Sequence, residues 1–362
     1  MGEPTPTADD ADDADDAGSI APRGPGAVVT GAAGWLGQNL VRALLRQPGR
    51  ERVRCLVRTD AEAAGLAVLD ARVSVVVGDV RDPAALDELF DGVGAASVFH
   101  AAAVIHPRRV RELFDVNVGG TQLVLDRARR ANARRFVHVS SNSPFGANPH
   151  ESDRFTEDSP YAPYLAYGHS KHEAELLVTR AHERGDLETV IVRPPWFYGP
   201  FQPARQTRFF AAVRKGRFPV VAPGSQRRSM VHTANLVQGL LRAESVDAAA
   251  GRAYWVADAE PYELRAIVAT VREALAAEGF PVSSRPAPRV PRAVAVVAAR
   301  ADALVQAAGH YVQALHVLGE LKDTIACDIG RARAELGYEP RVGLLAGMRA
   351  SVRWCVENGL AI

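Results

Sequence analysis

The sequence predicts an α/β fold, a doubly wound parallel sheet with a smaller C-terminal lobe. From residue 27 onward, short valine-rich apolar runs alternate with longer amphipathic stretches, which is the β-α repeat of parallel sheets. The apolar runs are mostly continuous rather than alternating, as strands covered on both faces require. After residue 192 the pattern changes to segments dense in proline, glycine, arginine and aromatic residues, which indicates a separate lobe.

Individual elements follow from the periodicity. Six apolar runs are interpreted as strands, over residues 27–30, 53–57, 73–77, 97–102, 136–140 and 189–192. Helices are predicted between the strands over residues 36–46, 83–90, 110–131 and 167–184, and in the C-terminal lobe over residues 264–277 and 293–308. The last of these is apolar enough to lie against a core or a membrane surface, and we interpret it as core or as a lid over a pocket.

The charge balance conceals an uneven distribution. The 362 residues carry 43 basic and 42 acidic side chains, a formal net charge of +1. Seven of the acids lie within residues 1–19, which contain no lysine or arginine, so the rest of the chain has a charge of about +8. Residues 1–25 are polar, and we expect this acidic tail to be disordered because it has little apolar surface to bury.

Several classes of protein are excluded by composition. Cys55, Cys327 and Cys355 are far apart and form no CxxC, so neither a disulfide framework nor a metal site is expected. The chain lacks a run of eighteen apolar residues and a secretory signal, which predicts no membrane span and a cytoplasmic location. The arginines within residues 127–135 lie at the end of a helix, where cations complement the helix dipole, and have no interleaved aromatics, so we interpret them as solvated rather than as a nucleic-acid site.

A glycine-rich loop separates the first strand from the first helix. Residues 30–37 read TGAAGWLG, with Gly31, Gly34 and Gly37 at the spacing of the Rossmann dinucleotide-binding turn. One glycine permits the turn, one lets the backbone approach a pyrophosphate, and one lets helix and strand pack closely. Because the loop follows a strand and opens a helix, we expect it to bind a dinucleotide.

The residue after the second strand bears on which dinucleotide is bound. An acidic side chain usually binds the ribose 2′-hydroxyl of NAD there, but this chain has Arg58, twenty-one residues after Gly37. A guanidinium can bind a 2′-phosphate through two hydrogen bonds, so NADP is favoured over NAD. The alternative is that Arg58 is solvated or stacks on the adenine and that Asp60 reaches the ribose.

A tyrosine and a lysine mark a candidate catalytic helix. Residues 167–171 read YGHSK, and residues four apart share one helix face, so Tyr167 and Lys171 can address one substrate and one cofactor together. Lysine is rare here, since the chain contains only Lys171, Lys215 and Lys322.

Together these motifs resemble the extended branch of the short-chain dehydrogenase/reductase family, from residue 27 to about residue 359. Beyond the TGAAGWLG loop and the YGHSK pentad, the matching stretches are GDV at 78–80, HAAA at 100–103, NVGGT at 117–121, VSS at 139–141, RPPWFYGP at 193–200 and ELGYEP at 335–340. The resemblance implies residues 26–195 as an NAD(P)-binding domain and residues 196–362 as mainly a substrate-binding lobe, with some segments returning to the sheet.

The resemblance also implies roles for individual residues. Ser141, Tyr167 and Lys171 correspond to the catalytic triad, with Asn117 as a supporting fourth member; Ser140 is the rival serine, and Ser141 has the family's usual offset from Gly146. Tyr167 as general acid/base is expected to have a pKa below its free value near 10, because the Lys171 cation and an oxidised nicotinamide would stabilise the phenolate. His100 and His232 are interpreted as structural or cofactor-edge groups. The implied cofactor contacts are Gly31, Gly34, Trp35, Leu36, Gly37, Arg58, Asp79, Val80, Ala101, Ala102, Ala103, Tyr167, Lys171 and Pro194, with Pro195 also near the nicotinamide.

The substrate remains open between two enzyme classes. Trp196 stands where sugar-nucleotide epimerases and dehydratases usually carry asparagine, and the segment around it is closer to the 3β-hydroxysteroid dehydrogenase and dihydroflavonol-reductase-like branch. Aromatic residues at the expected pocket suit an apolar alcohol or ketone; they are Trp196, Phe197, Phe201, Phe209, Phe210 and Trp255. Against this, Gln202, Arg205 and Arg228 could bind the diphosphate of a nucleotide sugar.

We therefore expect an NAD(P)-dependent oxidoreductase that interconverts a secondary alcohol and a ketone on a largely apolar small molecule. A sugar-nucleotide epimerase or dehydratase is the alternative, and a cofactor-binding regulator without turnover is a third. The family implies a homodimer through the helices at residues 110–131 and 167–184. A small molecule is the expected partner, and neither nucleic acid nor a membrane span is expected.

Overall fold

A seven-stranded parallel sheet forms the centre of the computed structural model, which describes residues 19–362. Its strands are β1 (Gly26–Thr30), β2 (Arg52–Val57), β3 (Val73–Val77), β4 (Ser97–His100), β5 (Arg135–Val139), β6 (Glu188–Arg193) and β11 (Ala253–Trp255). Their spatial order is β11-β6-β5-β4-β1-β2-β3, and every neighbouring pair is parallel. The predicted doubly wound α/β fold is confirmed, and the six predicted strands overlap β1 to β6.

Six short strands lie outside this sheet and pair in twos. They are β7 (Trp196–Tyr198) with β10 (Met230–His232), β9 (Arg227–Arg228) with β12 (Tyr262–Glu263), and β8 (Val220–Val221) with β13 (Arg289–Val290). All six come from the part of the chain after β6, so this region is built separately from the sheet and only β11 returns to it.

The described residues contain twelve α-helices. They are α1 (Trp35–Arg46), α2 (Asp60–Ala67), α3 (Pro83–Phe90), α4 (Arg111–Phe114), α5 (Thr121–Arg130), α6 (Leu165–Glu183), α7 (Ala204–Arg214), α8 (Thr233–Ser245), α9 (Leu264–Ala277), α10 (Arg292–Ala307), α11 (Gln313–Glu320) and α12 (Leu344–Glu357). Capping residues explain where two of these helices begin: the Thr59 side chain caps α2, and Asp82 caps α3 just before Pro83. None of these helices, within the described part of the chain, is long and apolar enough to cross a membrane.

Three buried clusters hold the layers together. Two lie on the faces of the sheet, one around Val29 and Trp255 and one around Val98 and Phe136. The third belongs to the C-terminal lobe, where α7, α9 and α12 pack apolar side chains such as Phe210 against each other. The order of the sheet reverses between β4 and β1, and the crevice beyond their carboxyl ends is where such folds place ligands.

The polar segment before β1 is attached to the body. Ile20 is 3% exposed and belongs to a sheet-face cluster, and its carbonyl accepts a hydrogen bond from Gln47. Arg23 pairs with Glu188 at 3.1 Å, and Arg50 donates to the Gly24 carbonyl at 3.0 Å. The prediction of disorder through residue 25 is therefore wrong for residues 19–25, because one apolar side chain and several backbone carbonyls anchor them. Residues 1–18 of the predicted tail lie outside the described residues.

Arg135 contradicts the interpretation of the arginine run as solvated. Its side chain is fully buried, pairs with Glu188 at 2.8 Å and donates to the carbonyls of Ala243 and Glu244. Arg127 pairs with Asp87 at 3.0 Å. The arginines therefore tie α5 and β5 to neighbouring elements, which is a structural use for part of the basic excess.

Replacing Ile20 with alanine tests this anchoring. We expect Ile20→Ala to lower the free energy of unfolding by about 2–4 kcal/mol, because it leaves a cavity in a packed cluster. Urea unfolding measures the change. Val68→Ala is the control, since Val68 is 81% exposed and its truncation should have little effect. Equal stability of the two variants would show that residues 19–25 do not pack on the body in solution.

Candidate active site

The glycine loop is held in its turn by close backbone packing. Gly31 has a φ of +71°, and a Cβ at this position would come within 2.8 Å of the Ala102 backbone nitrogen. A Cβ on Gly37 would lie 2.1 Å from the Gly31 carbonyl oxygen. These contacts explain two of the glycines: one lets the loop pass beside the end of β4, and the other lets α1 start directly against the loop.

The start of α1 can receive an anion. Its N-cap, Gly34, makes no side-chain capping bond, and the first turn contains no acidic residue. Leu36 is buried beneath the turn, so the backbone N–H groups of the first turn form the surface at this point. Unpaired N–H groups and the positive end of a helix dipole suit a pyrophosphate.

Trp35 joins this loop to the segment after β6. Its indole Nε1 donates to the carbonyls of Pro200, at 2.8 Å, and Gly199, at 3.2 Å. Its ring lies 4.8 Å from that of Phe197, and Asn39 adds a bond to the Pro200 carbonyl at 3.1 Å. Trp35 therefore connects the cofactor loop to the start of the C-terminal lobe. The glycine motif alone does not predict this contact.

The edge after β2 and β3 presents both candidate ribose residues. Arg58 is exposed at the end of β2, with its backbone N–H bound by Glu62, and Asp60 is exposed in the next turn. Asp79, which follows β3, accepts two bonds from Arg81, at 2.7 and 2.9 Å, and that guanidinium lowers the pKa of the Asp79 carboxyl. Val80 is buried behind it. The structure therefore brings Arg58, Asp60 and Asp79 to one edge of the sheet, and Arg58 makes no ion pair among the described residues.

His100, at the end of β4, belongs to a buried chain of hydrogen bonds. Thr121 donates to the Asn117 carbonyl at 2.6 Å, so its hydroxyl oxygen accepts from His100 Nε2 at 2.9 Å. His100 Nδ1 then accepts from Thr30 at 2.8 Å. Burial, with Lys171 adding to it, lowers the pKa of His100 to about 3. A neutral imidazole with both nitrogens occupied is structural, as the sequence analysis expects.

Asn117 lies in a π-helical segment between α4 and α5, Asp115–Gly120. Its amide exchanges two hydrogen bonds with the backbone of Val104, at 2.8 and 2.9 Å, and donates to Ser170 at 3.0 Å. Such one-turn widenings of a helix occur often at functional sites. Here the segment links the loop after β4, which carries Ala101, Ala102 and Ala103, to the helix that carries Tyr167.

The three predicted catalytic side chains converge at the carboxyl ends of β5 and β6. Ser141 follows β5 and lies beside the Tyr167 phenol, whose pKa it lowers; Tyr167 sits in the first turn of α6. The Ser141 hydroxyl donates to Ser143 at 3.3 Å. Lys171, one turn later, is 1% exposed and donates to the Val139 carbonyl at 2.8 Å. The rival Ser140 instead donates to the buried Glu175 carboxylate. Of the two serines, only Ser141 is in contact with the phenol.

The Tyr167 phenol has a raised pKa in the chain alone. Burial raises it to about 12, although the neighbouring Ser141 acts in the opposite direction. Lys171 does not lower it, because the ammonium points to the Val139 carbonyl and, at 3.4 Å, to His138. Burial lowers the pKa of Lys171 to about 8, and Glu175 opposes that shift. At neutral pH the phenol is therefore protonated, and most of the lysine is charged.

Glu175 is a central residue that the sequence analysis missed. It is fully buried one turn beyond Lys171, pairs with Arg193 at 2.7 Å and accepts from Tyr161 at 2.7 Å as well as from Ser140. The available signal was its position, since residues 167, 171 and 175 follow one another at helical spacing. An acid on the face that carries the candidate catalytic residues could have been expected to face inward.

The aromatic residues of the expected pocket divide into two groups. Trp196 stacks edge-on against Phe209 at 5.4 Å and is partly exposed. Trp255 and Phe210 are completely buried, so the assignment of these two to the pocket is wrong and they belong to the cores. Phe197 packs on Trp35 and Phe201 lies 4.2 Å beneath the Arg42 guanidinium. Pro194 and Pro195 are buried directly after β6.

The three candidate diphosphate ligands are not brought together as free groups. Arg228 donates to the Glu320 carbonyl, with the Glu320 carboxylate 3.9 Å away, and Gln202 donates to Cys355 at 2.8 Å. Arg205 is partly buried and acts electrostatically on Tyr167. Only Arg205 of the three makes no hydrogen bond or ion pair within residues 19–362.

A helical hairpin covers the site. Its two helices, α10 and α11, are joined to the rest of the site by Gln306, whose oxygen accepts from the Ala166 backbone at 3.3 Å. Tyr311, between the helices, bonds His106 at 2.7 Å. The hairpin therefore lies over the start of α6, beside Tyr167, which agrees with the prediction that residues 293–308 form core or a pocket lid.

Comparison with known proteins adds three findings. A family model described as the NAD dependent epimerase/dehydratase family matches residues 27–257. The chain is 43% identical to an uncharacterized protein, y4nL of Sinorhizobium fredii, over 92% of this chain and 96% of that one, and 32% identical to a farnesyl-dihydroquinoline-oxide ketoreductase of Stigmatella aurantiaca, over 89% and 94%. It is similar to the crystal structure of the dTDP-glucose 4,6-dehydratase DesIV of Streptomyces venezuelae with NAD bound, with a TM-score of 0.70, 27% identity, and coverage of 92% and 97%.

A glycine substitution tests the geometry of the loop. We expect Gly37→Ala to abolish binding of NADH and NADPH, because the new methyl group cannot fit 2.1 Å from the Gly31 carbonyl. Titration of the cofactor's fluorescence measures binding. Gly65→Ala is the matched control, since nothing lies within 4 Å of a Cβ there and alanine favours the helix. Unchanged binding by Gly37→Ala would contradict the assignment of this loop.

Proposed function

The chain belongs to the NAD dependent epimerase/dehydratase family, and we propose that it interconverts a secondary alcohol and a ketone on a largely apolar small molecule. Membership makes it an oxidoreductase of that family that uses a nicotinamide cofactor. The observation that carries the finer proposal is that Ser141 lies beside the Tyr167 phenol, with Lys171 one turn further along the same helix.

The residues of this chain fit a dinucleotide. The uncapped start of α1 suits the pyrophosphate, Asp79 and Val80 stand at the edge expected for the adenine, and Pro194 lies at the end expected for the nicotinamide. When bound, the nicotinamide supplies or accepts the hydride. Lys171 sits where a cation can bind a ribose hydroxyl once it exchanges its bond to the Val139 carbonyl.

Acid–base chemistry is assigned to Tyr167. A phenol with a pKa of about 12 holds its proton at neutral pH and can donate it to the oxygen of a ketone as that oxygen gains charge. The Ser141 hydroxyl binds the same oxygen and orients the substrate. In the direction of ketone reduction Tyr167 is the proton donor, and this direction is assayed first.

Two observations support an apolar substrate. Arg228, which could bind a diphosphate, is already engaged by the carbonyl and carboxylate of Glu320. Trp196, three residues after the end of β6, is partly exposed and packs edge-on against Phe209. The similar Stigmatella aurantiaca protein is named as a ketoreductase of a farnesyl-substituted quinoline, which is a ketone on an apolar molecule.

A sugar-nucleotide dehydratase is the second candidate, favoured by the similarity to DesIV. The two candidate reactions differ in whether the nicotinamide cofactor is consumed. Consumption of NADPH with a polycyclic ketone supports the reductase, whereas conversion of a dTDP- or UDP-sugar without net change of the cofactor supports the dehydratase or an epimerase. Cofactor binding with neither activity would favour the third possibility, a cofactor-binding regulator without turnover.

Removing one hydroxyl group tests the role of Tyr167. Tyr167→Phe should lower kcat by about 10²–10⁴-fold, the usual contribution of general acid–base catalysis. Cofactor binding should be unchanged, because the hydroxyl is proposed to contact the substrate, and fluorescence titration provides this internal control. Turnover at the rate of the unmodified enzyme would exclude Tyr167 as the proton donor.

Exchange of Arg58 tests the proposed preference for NADP. If its guanidinium binds the 2′-phosphate, Arg58→Gln should raise the KM for NADPH by about tenfold or more and leave the KM for NADH unchanged. Arg52→Gln, at the opposite end of β2 and equally exposed, is the control. A clear preference of the unmodified enzyme for NADH would instead point to Asp60 as the ribose ligand.

A further inference from the structure

The α10–α11 hairpin exposes apolar side chains to solvent. On α10, Val294 is 46% exposed, Val297 64% and Leu304 74%, while on and next to α11 Val312 is 41% and Val317 37% exposed. At 100° per residue, the three residues of α10 fall within an arc of about 80° and so form one face of the helix. Grouped exposed valine and leucine side chains are unusual on a protein surface unless something binds there.

This face is part of a firmly packed element. Gly319 lets α11 approach α10 closely, since a Cβ there would lie 2.8 Å from the Ala299 Cα. Between the helices, Asp302 is completely buried and accepts from His316 at 2.9 Å and from Gln306 at 3.0 Å. The opposite side of α10 is therefore fixed against the protein, and its apolar outer face cannot turn inward without breaking these bonds.

The charge around the hairpin is mostly positive. Residues 281–320 contain four arginines and two acids, which are the buried Asp302 and, at the end of α11, Glu320, whose carboxylate lies 3.9 Å from Arg228. All four arginines are exposed, and they are Arg285, Arg289, Arg292 and Arg300. Among the described residues none of the four forms an ion pair. An apolar helix face flanked by unpaired arginines is the pattern of segments that lie on anionic lipid.

We propose that the outer face of the α10–α11 hairpin docks onto the surface of an anionic lipid bilayer. The sixteen residues of α10 span about 24 Å and include Arg300 and Asp302, so the helix lies in the interface rather than across it. The valine and leucine side chains enter the boundary between headgroups and acyl chains, and the arginines contact lipid phosphates.

Docking would also place the entrance of the site against the lipid. The inner side of the hairpin contacts the start of α6 through Gln306 and contacts His106 through Tyr311, next to Tyr167. An apolar substrate dissolved in the bilayer could then enter beneath the hairpin without crossing water. This delivery step rests on the proposed function, whereas docking itself does not.

Vesicle sedimentation tests docking without substrate or cofactor. The full chain should pellet with vesicles of phosphatidylcholine containing one quarter phosphatidylglycerol, and less with phosphatidylcholine alone. The double variant V297D/L304D should lose at least about tenfold in binding, because each change puts a charge into the apolar boundary. V68D is the matched control, since Val68, directly after α2, is 81% exposed and the variant should bind as the unmodified protein does.

A second variant tests the electrostatic part. R292E/R300E leaves the apolar face intact, and it should reduce binding to the anionic vesicles while retaining the same thermal unfolding temperature as the unmodified protein. Protein that stays in the supernatant with anionic vesicles would overturn the proposal, as would unimpaired binding by V297D/L304D. If V297D/L304D instead halves the mass found by light scattering and vesicles are not bound, the face is a contact between two copies of the chain and the lipid proposal is wrong.

Docking and catalysis can fail separately. Vesicle binding without any ketone reduction would leave the docking proposal standing and contradict the proposed function. Reduction of a water-soluble ketone without vesicle binding would support the proposed function and contradict the docking proposal.

Discussion

A single buried carboxylate connects the parts of the site that must be held together. Glu175 on α6 pairs with Arg193 at the end of β6 and accepts a bond from Ser140 at the end of β5. The next residues along those two strands are Pro194 and Ser141, so one ion pair fixes the catalytic helix against both strand ends. The Arg193 guanidinium also lies 4.6 Å above the Phe145 ring, which closes the cluster. Loss of one partner of such a buried pair costs about 3–5 kcal/mol, because the remaining charge is left without compensation.

A second, uncharged network complements this pair. Hydrogen bonds lead from Thr30, before the glycine loop, through His100 and Thr121 to Asn117. Asn117 then holds Ser170, which donates to the Tyr167 carbonyl at 2.8 Å. Every side chain in this series of hydrogen bonds is buried or nearly so, and solvent cannot replace a lost bond there. The position of the phenol is consequently coupled to the position of the glycine loop through the interior of the protein.

The fold class and the cofactor edge could be predicted from the sequence, because their signals are local. Continuous valine-rich strands predict the parallel sheet, the glycine loop predicts the cofactor edge, and a spacing of four places Tyr167 and Lys171 together. Long-range pairing has no local signal: nothing near Ile20 indicates that Gln47 binds its carbonyl, and Arg228 gives no sign of its partner Glu320. The pKa of Tyr167 in the chain alone likewise depends on distant segments, since the burial they cause raises it.

The contacts of α1 with the segment after β6 also determine what could be exchanged between related proteins. Trp35 and Asn39 bond the Pro200 carbonyl, and Arg42 covers the Phe201 ring, although all three belong to the N-terminal half of the chain. A chimera that replaces everything after residue 195 would leave these side chains facing an unrelated surface. A functional chimera must therefore exchange two separate parts of the sequence. The C-terminal lobe keeps its substrate preference only if the matching face of α1 is transferred with it.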